Sequence, residues 1–209
     1  AMTDEKEYFA ESTEAFFGRN DFFPFDRKQL HETDPEIEMI LEQVWTSQEQ
    51  VMSVPKDSKI PAFYKKYIDA HGYPIVGSAK VNDYALKEAA YLVNSMLINR
   101  PDVRAAMIKS GSRLCIMAHN EYTTDLPDFA WLKPKDFWDA RARGTGGSQT
   151  DPYCSAAEEN LLNYPGDPYP TECIMVHEFA HNIHLRGMVN IDPTFDGRLK
   201  ATYDAAMKA

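Results

Sequence analysis

The stretch CIMVHEFAHNIHLRGM, residues 173–188, holds His177, Glu178 and His181 in the order H-E-x-x-H. Two imidazoles four positions apart on an α-helix lie about 40° apart around its axis, so both can reach one ion. Zinc accepts such nitrogen ligands, and in hydrolytic sites it takes three protein ligands and keeps a fourth place for water. Glu178 is rotated away from the ion but remains beside it. The pattern points to one zinc per chain held by His177 and His181. Glu178 would then be the general base that takes a proton from the water as it attacks a carbonyl. The blander reading is a buried helix that carries two histidines by coincidence. Cys173, Ile174, Val176, Phe179, Ala180 and Ile183 are apolar, so this helix is expected to be buried on most sides.

Two histidines are one ligand short. The extended motif with a third histidine requires glycine three residues after the second histidine and histidine three further on. Those positions hold His184 and Gly187, so that motif is absent. A straight helix does not wrap three successive turns around one ion, and His184 reads as a supporting or core histidine. A carboxylate ligand usually follows the histidine helix, but the 25 residues after His184 contain Asp192, Asp196 and Asp204 and no E-x-x-x-E pair. The other candidates lie at the opposite end, in EKEYFAES. Glu7 and Glu11 share a helix face there; Glu7 could bind the ion and Glu11 could accept a hydrogen bond from a ligand imidazole. By periodicity alone, Glu7, Glu11 and Glu14 form a solvated acidic stripe opposite phenylalanines.

The elements around these residues are readable in outline. Residues 4–18 are expected to form a helix with Thr3 or Asp4 as cap and Gly18 as stop. NDFFPFDRKQL is expected to be a turn-like connection. TDPEIEMILEQVW is a second helix with Pro35 in its first turn, and 46–59 is a polar linker. GYPIVGS and SRLCIMAHN read as strands; NDYALKEAAYLVNSMLIN and PDVRAAMIKS read as helices, the latter closed by Gly111. Residues 120–170 are expected to be irregular and to shape a surface over a site. The segment from Thr171 to Gly187 and the last residues from Asp192 are further helices. The fold class is α+β, mostly helical, with a small sheet containing 113–118 packed on the histidine helix. The chain is read as a single domain with segments 1–45, 46–59 and 60–209.

Composition excludes several alternatives. The chain has 209 residues, is 44% hydrophobic and 26% charged, and carries a formal net charge of −10. That is an ordinary globular composition, large enough for a real core. The acidic balance argues against nucleic acid and anionic membranes as partners. No apolar run reaches membrane-spanning length, and the charged start shows no signal peptide. Cys115, Cys154 and Cys173 show no C-x-x-C spacing. They allow one disulfide with one free thiol, or three buried thiols.

TDEKEYFAESTEAFF resembles the third-ligand segment of the anthrax lethal factor-like zinc peptidases, and VHEFAHNIH resembles their histidine helix. GYPIVGSAKVNDYAL, ARARGTGG, EENLLNYPGD and DPTFDGRL are similar to an uncharacterised bacterial and fungal branch of that family. The resemblance implies a gluzincin-type domain. His177, His181 and Glu7 would be the ligands, Glu178 the base and Glu11 the supporting carboxylate, with a peptide or protein as substrate. It favours a secreted or envelope location. In the family the E-Y-F-A-E segment follows the histidine helix, whereas here it precedes it, as in a circular permutation joined through 46–59. A swapped homodimer in which Glu7 acts on a neighbouring molecule is the alternative. The family tyrosine seven residues before the ligand glutamate would fall before Ala1. Tyr164 or Tyr169 in NYPGDPYP could replace it; loss of an oxyanion donor costs on the order of a hundred- to a thousandfold in turnover. An extended substrate would add to a sheet edge, for which HNEYTTD is the expected segment. The rival readings are a zinc-binding module with a structural or interaction role and a truncated toxin-like domain that needs a partner.

Overall fold

The structure is a computed structural model that describes residues 4–18, 20–45 and 50–208. The chain divides into two compact units, Ala1–Gln48 and Glu49–Ala209.

The first unit is helical. α1 (Glu5–Phe17) starts at Asp4, whose carboxylate accepts from the backbone N–H of Lys6 and of Glu7 at 3.0 Å each. Gly18 ends it. Thr3, the other candidate cap, lies outside the described residues. α2 (Arg27–Thr33) begins within the last four residues of the segment expected to be a connection. Asp26 caps it through the N–H of Gln29 at 2.9 Å, and Leu30 supplies its buried contact. Phe22, Phe23 and Phe25, just before this helix, are exposed and belong to the turn. α3 (Pro35–Trp45) begins as expected, with Asp34 accepting from the N–H of Ile37 at 3.2 Å. Ala15, Phe16, Leu30, Ile37 and Leu41 form the core.

In the second unit, β1 (Met52–Ser53), β2 (Lys66–Ala70), β3 (Tyr73–Gly77), β4 (Arg113–Met117), β5 (Gly144–Thr145) and β6 (Tyr153–Ala157) form one sheet in the order β1-β2-β3-β4-β6-β5. β3, β4 and β6 run parallel; the remaining pairs are antiparallel. Residues 46–49 of the expected linker lie outside the described residues. Met52 and Ser53, within the same segment, pair with Tyr67 and Lys66, so that part is a strand rather than a free connector. β6 also departs from expectation, because it runs through the region read as irregular. Its sequence YCSAA lacks the β-branched and large aromatic pattern of a strand interior; its small side chains suit a central position under a helix.

α4 (Asp83–Leu97) and α5 (Pro101–Lys109) connect β3 to β4. Asn82 caps α4 through the N–H of Tyr84 at 3.0 Å, and Pro101 opens α5. α6 (Lys135–Asp139) follows two short 3₁₀ turns. α7 (Glu158–Leu161) follows β6 directly. α8 (Ile174–Asn182) continues through a π-helical segment, Ile183–Met188, into α9 (Val189–Ile191), and α10 (Phe195–Ala206) is the last helix described.

Both faces of the sheet are covered. Ile75, Leu114, Ile116, Cys154 and Ala156 face α4, α5 and the Met175–Phe179 side of α8. Val76, Cys115, Met117 and Ala157 face Tyr64, Leu126, Phe129 and Leu132. β4, with every residue buried, reads as an apolar run for this reason. All three cysteines are free thiols, but only Cys115 and Cys154 are buried; Cys173 is exposed, which corrects the expectation of three buried thiols. The architecture is α+β, about half helical rather than mostly so. Among the described residues no helix is long and apolar enough to cross a membrane.

Candidate metal centre

α8 is held on one side only. Ile174, Met175 and Phe179 enter the core and Asn182 is fully buried, while His177, Ala180 and His181 are exposed. This corrects the expectation of burial on most sides: Ile174, Met175 and Phe179 share the buried face, and both histidines lie on the open one with Ala180. Phe179 sets the rotation by packing edge-on against Tyr73, with ring centroids 5.5 Å apart. The start of the helix is fixed by Asn160, whose Oδ1 accepts from the N–H of Ile174 at 2.8 Å. The Asn160 amide in turn donates to Asp167, to the Tyr169 carbonyl and to the Glu172 carbonyl, which orders the loop before the helix.

The end of the helix is fixed by Asn182. Its Nδ2 donates to the carbonyls of Gly146 and Pro152 at 3.2 Å each, and its Oδ1 accepts from Ser112 and, at 3.4 Å, from Tyr73. These bonds tie the histidine helix to the segment around β5. The contact there is close. A Cβ on Gly144 would stand 2.5 Å from Ile174 Cγ2, and one on Gly146 would stand 2.4 Å from His181 Cβ. Only glycine lets backbone approach this near. Arg143 anchors the same segment through Glu159, at 2.5 and 2.9 Å, and through the Glu121 carbonyl.

On the open face the two imidazoles converge. His177 Nε2 and His181 Nε2 are 3.2 Å apart, and the rings cross at 79°. Two nitrogens bound to one tetrahedral zinc stand about 3.3 Å apart, so the pair fits the ion. One ligand atom from each of His177, Glu178 and His181 lies within 4.8 Å of the others. Burial raises the Glu178 carboxyl above the usual range, against the opposing charges of His177 and His181. A carboxylate shifted this way holds a proton more readily, as a general base must. The three side chains form a group able to hold a metal ion.

The other sequence candidates are placed as follows. Glu7 is exposed on α1 of the first unit. Glu11 is half-buried; its Oε2 is shielded and has no hydrogen-bond partner among the described residues, and the carboxylate clusters with Glu14 and Asp21. His184 lies in the π-helical segment, where its Nε2 meets Asp196 Oδ1 at 2.6 Å and its ring packs on Phe195. The Tyr169 hydroxyl donates to the Arg141 carbonyl at 2.7 Å. The Tyr164 hydroxyl accepts from Asn82 at 3.1 Å and faces a cleft with His119. HNEYTTD is not a sheet edge. β4 has neighbours on both sides, and the Tyr122 N–H donates to Asp125 Oδ2 while the Asp125 N–H donates to the Tyr122 carbonyl, at 3.0 Å each, which folds the segment into a 3₁₀ turn. The terminal strand beside the histidines is β5. Its sequence signal was the G-T-G-G run, whose small residues mark a close backbone approach. Asn182 and Asn160 carry no comparable signal, because an asparagine within or before a helix ordinarily reads as neutral. Comparison with protein-family models, with curated proteins and with solved structures finds no match to this chain.

Proposed function

We propose that the protein is a zinc-dependent endopeptidase. The observation that carries this reading is the 3.2 Å separation of the His177 and His181 Nε2 atoms with Glu178 beside them. Zinc bound there would acidify a water molecule and polarise the substrate carbonyl. Glu178 takes the proton released in the attack and passes it to the departing amine. β5 supports the choice of an extended peptide as substrate. It is the last strand of the sheet, it runs against α8, and a peptide added to it would bring its backbone over the histidines. Glu7 is the proposed third ligand on the strength of the resemblance, given by its own chain or by a second copy, and Glu11 the proposed supporting carboxylate.

The test is metal content and peptide cleavage in four proteins. The unaltered chain is expected to bind one zinc and cut a peptide library. His181→Ala and Glu7→Ala are expected to lose the metal. Glu178→Gln is expected to retain it and lose cleavage by at least a hundredfold. Zinc retained by Glu7→Ala rejects the ligand assignment, and cleavage retained by Glu178→Gln rejects the chemistry. A second reading rests on the same 3.2 Å contact, which also suits a hydrogen bond between the two rings. In that case the site is a structural or interaction module: chelation changes melting temperature, and no peptide is cut.

A further inference from the structure

Beyond the carboxyl ends of β3, β4 and β6 the second unit opens into a cleft of about 550 Å³. In sheets of this kind the crevice beyond the parallel strand ends is where ligands bind. Its lining comes from the turn after β3 (Lys80, Asn82, Asp83), from His119 after β4, and from Glu158 and Tyr164 after β6. It shares no residue with the histidine pair on α8.

His119 is set in a defined tautomer. Glu158 is 2% exposed, and it accepts from the backbone N–H of Asn82 at 2.6 Å and of His119 at 3.0 Å. It also meets His119 Nδ1 at 2.8 Å. A carboxylate with two backbone donors is an acceptor, so Nδ1 carries the hydrogen and Nε2 is left for the cleft. The Tyr164 ring packs edge-on against the imidazole, with centroids 6.0 Å apart.

The acidic groups of the cleft are already engaged. Glu158 is satisfied as above, and Asp83 takes Lys66 Nζ at 2.7 Å. The donors are in surplus. Lys80 Nζ is ion-paired with Glu121 Oε1 at 3.9 Å, too far for a hydrogen bond, so its N–H donors stay open to the cleft, and Glu121 Oε2 accepts from the Ala118 N–H. The Tyr164 hydroxyl accepts from Asn82, which leaves its own hydrogen to give. We propose that this cleft is a second ligand site, which takes a small oxyanion, a carboxylate or phosphoryl group, between the Lys80 ammonium, the Tyr164 hydroxyl and the His119 ring. Charge-assisted donors of this kind give short, strong bonds to such groups. The ring meets the bound group through Nε2, its orientation fixed by the Nδ1 contact with Glu158.

The test is a titration of the intact chain followed by the side-chain nitrogen resonances of its histidines. Inorganic phosphate is added in one arm and N-acetylglycine in the other. His119 is expected to shift saturably in at least one arm; phosphate alone identifies a phosphoryl ligand and N-acetylglycine alone a carboxylate. Lys80→Ala is expected to weaken binding roughly tenfold, the effect of losing one charge-assisted bond. Tyr164→Phe should weaken it by a smaller factor. His181→Ala should bind as the unaltered chain does, which separates this site from any anion held at a metal. The side chain of Lys80 is 61% exposed, so its substitution removes no core contact. Absence of a saturable His119 shift in both arms overturns the proposal. So does equal binding by Lys80→Ala and the unaltered chain.

Discussion

Asn182 fixes the histidine helix with one buried side chain. It satisfies two carbonyls and receives two hydroxyls, from Ser112, Tyr73, Gly146 and Pro152. Replacement by alanine leaves all four without that partner. Each stranded buried group costs about 1–3 kcal/mol, so Asn182→Ala is expected to destabilise the second unit by at least about 2 kcal/mol in urea unfolding. Asn182→Asp turns an acceptor oxygen toward those two carbonyls at a fully buried site and should cost at least as much. Phe179→Ala, which empties a fully buried site against Tyr73, is expected to cost about 3–5 kcal/mol by the same measurement. At this scale the sequence was informative only where spacing carries chemistry. H-E-x-x-H announces two imidazoles on one face. Nothing in N-I-H distinguishes an asparagine bonded to one strand and to the residues flanking three others from one in solvent. His119 and Glu158 are 39 positions apart, and only the parallel pairing of β4 with β6 brings them together.

Between elements, the tightest fit is that of β5 on α8. Gly146→Ala places a methyl carbon 2.4 Å from His181 Cβ, so strand or helix must move. The expected result is about 1–3 kcal/mol of lost stability from overpacking and weaker zinc binding, read by competition with a chelating dye. Gly18→Ala, in open space at the end of α1, is the contrast and should leave zinc binding unchanged. Legibility followed local chemistry here as well. α1, α4 and α5 were visible because caps, Pro101 and apolar spacing agree. α2 was hidden because its first residues follow the FFPF turn directly and were read with it as one connection. β6 was hidden because a strand of small residues gains its stability from what covers it rather than from its own propensity. The β-edge was assigned to the wrong segment because strand order, which decides which strand is outermost, is a property of pairing and not of composition.

At the scale of the molecule, each unit has its own core and its own response to conditions. In the first unit Glu38 is bonded to Arg27 at 2.9 Å and to His31 at 2.6 Å. The Arg27 bond holds its carboxyl below the usual range, against the opposing effect of burial. A depressed folded-state value means that the contribution is complete above the unfolded value of about 4.3 and is lost as pH falls through the lower folded value. Amide exchange in α2 and α3 is therefore expected to accelerate as pH drops below about 4, after correction for intrinsic rates. Glu38→Gln should flatten that dependence. In the second unit β4 lies between two strands and under two layers of side chains. Deuterium can reach such amides only when residues 49–209 come apart as a whole. The slowest-exchanging hydrogens of β4 are in effect a clock for global opening. A metal at α8 or an anion beside His119 that stabilises this unit will slow that clock, even though neither ligand touches the strand.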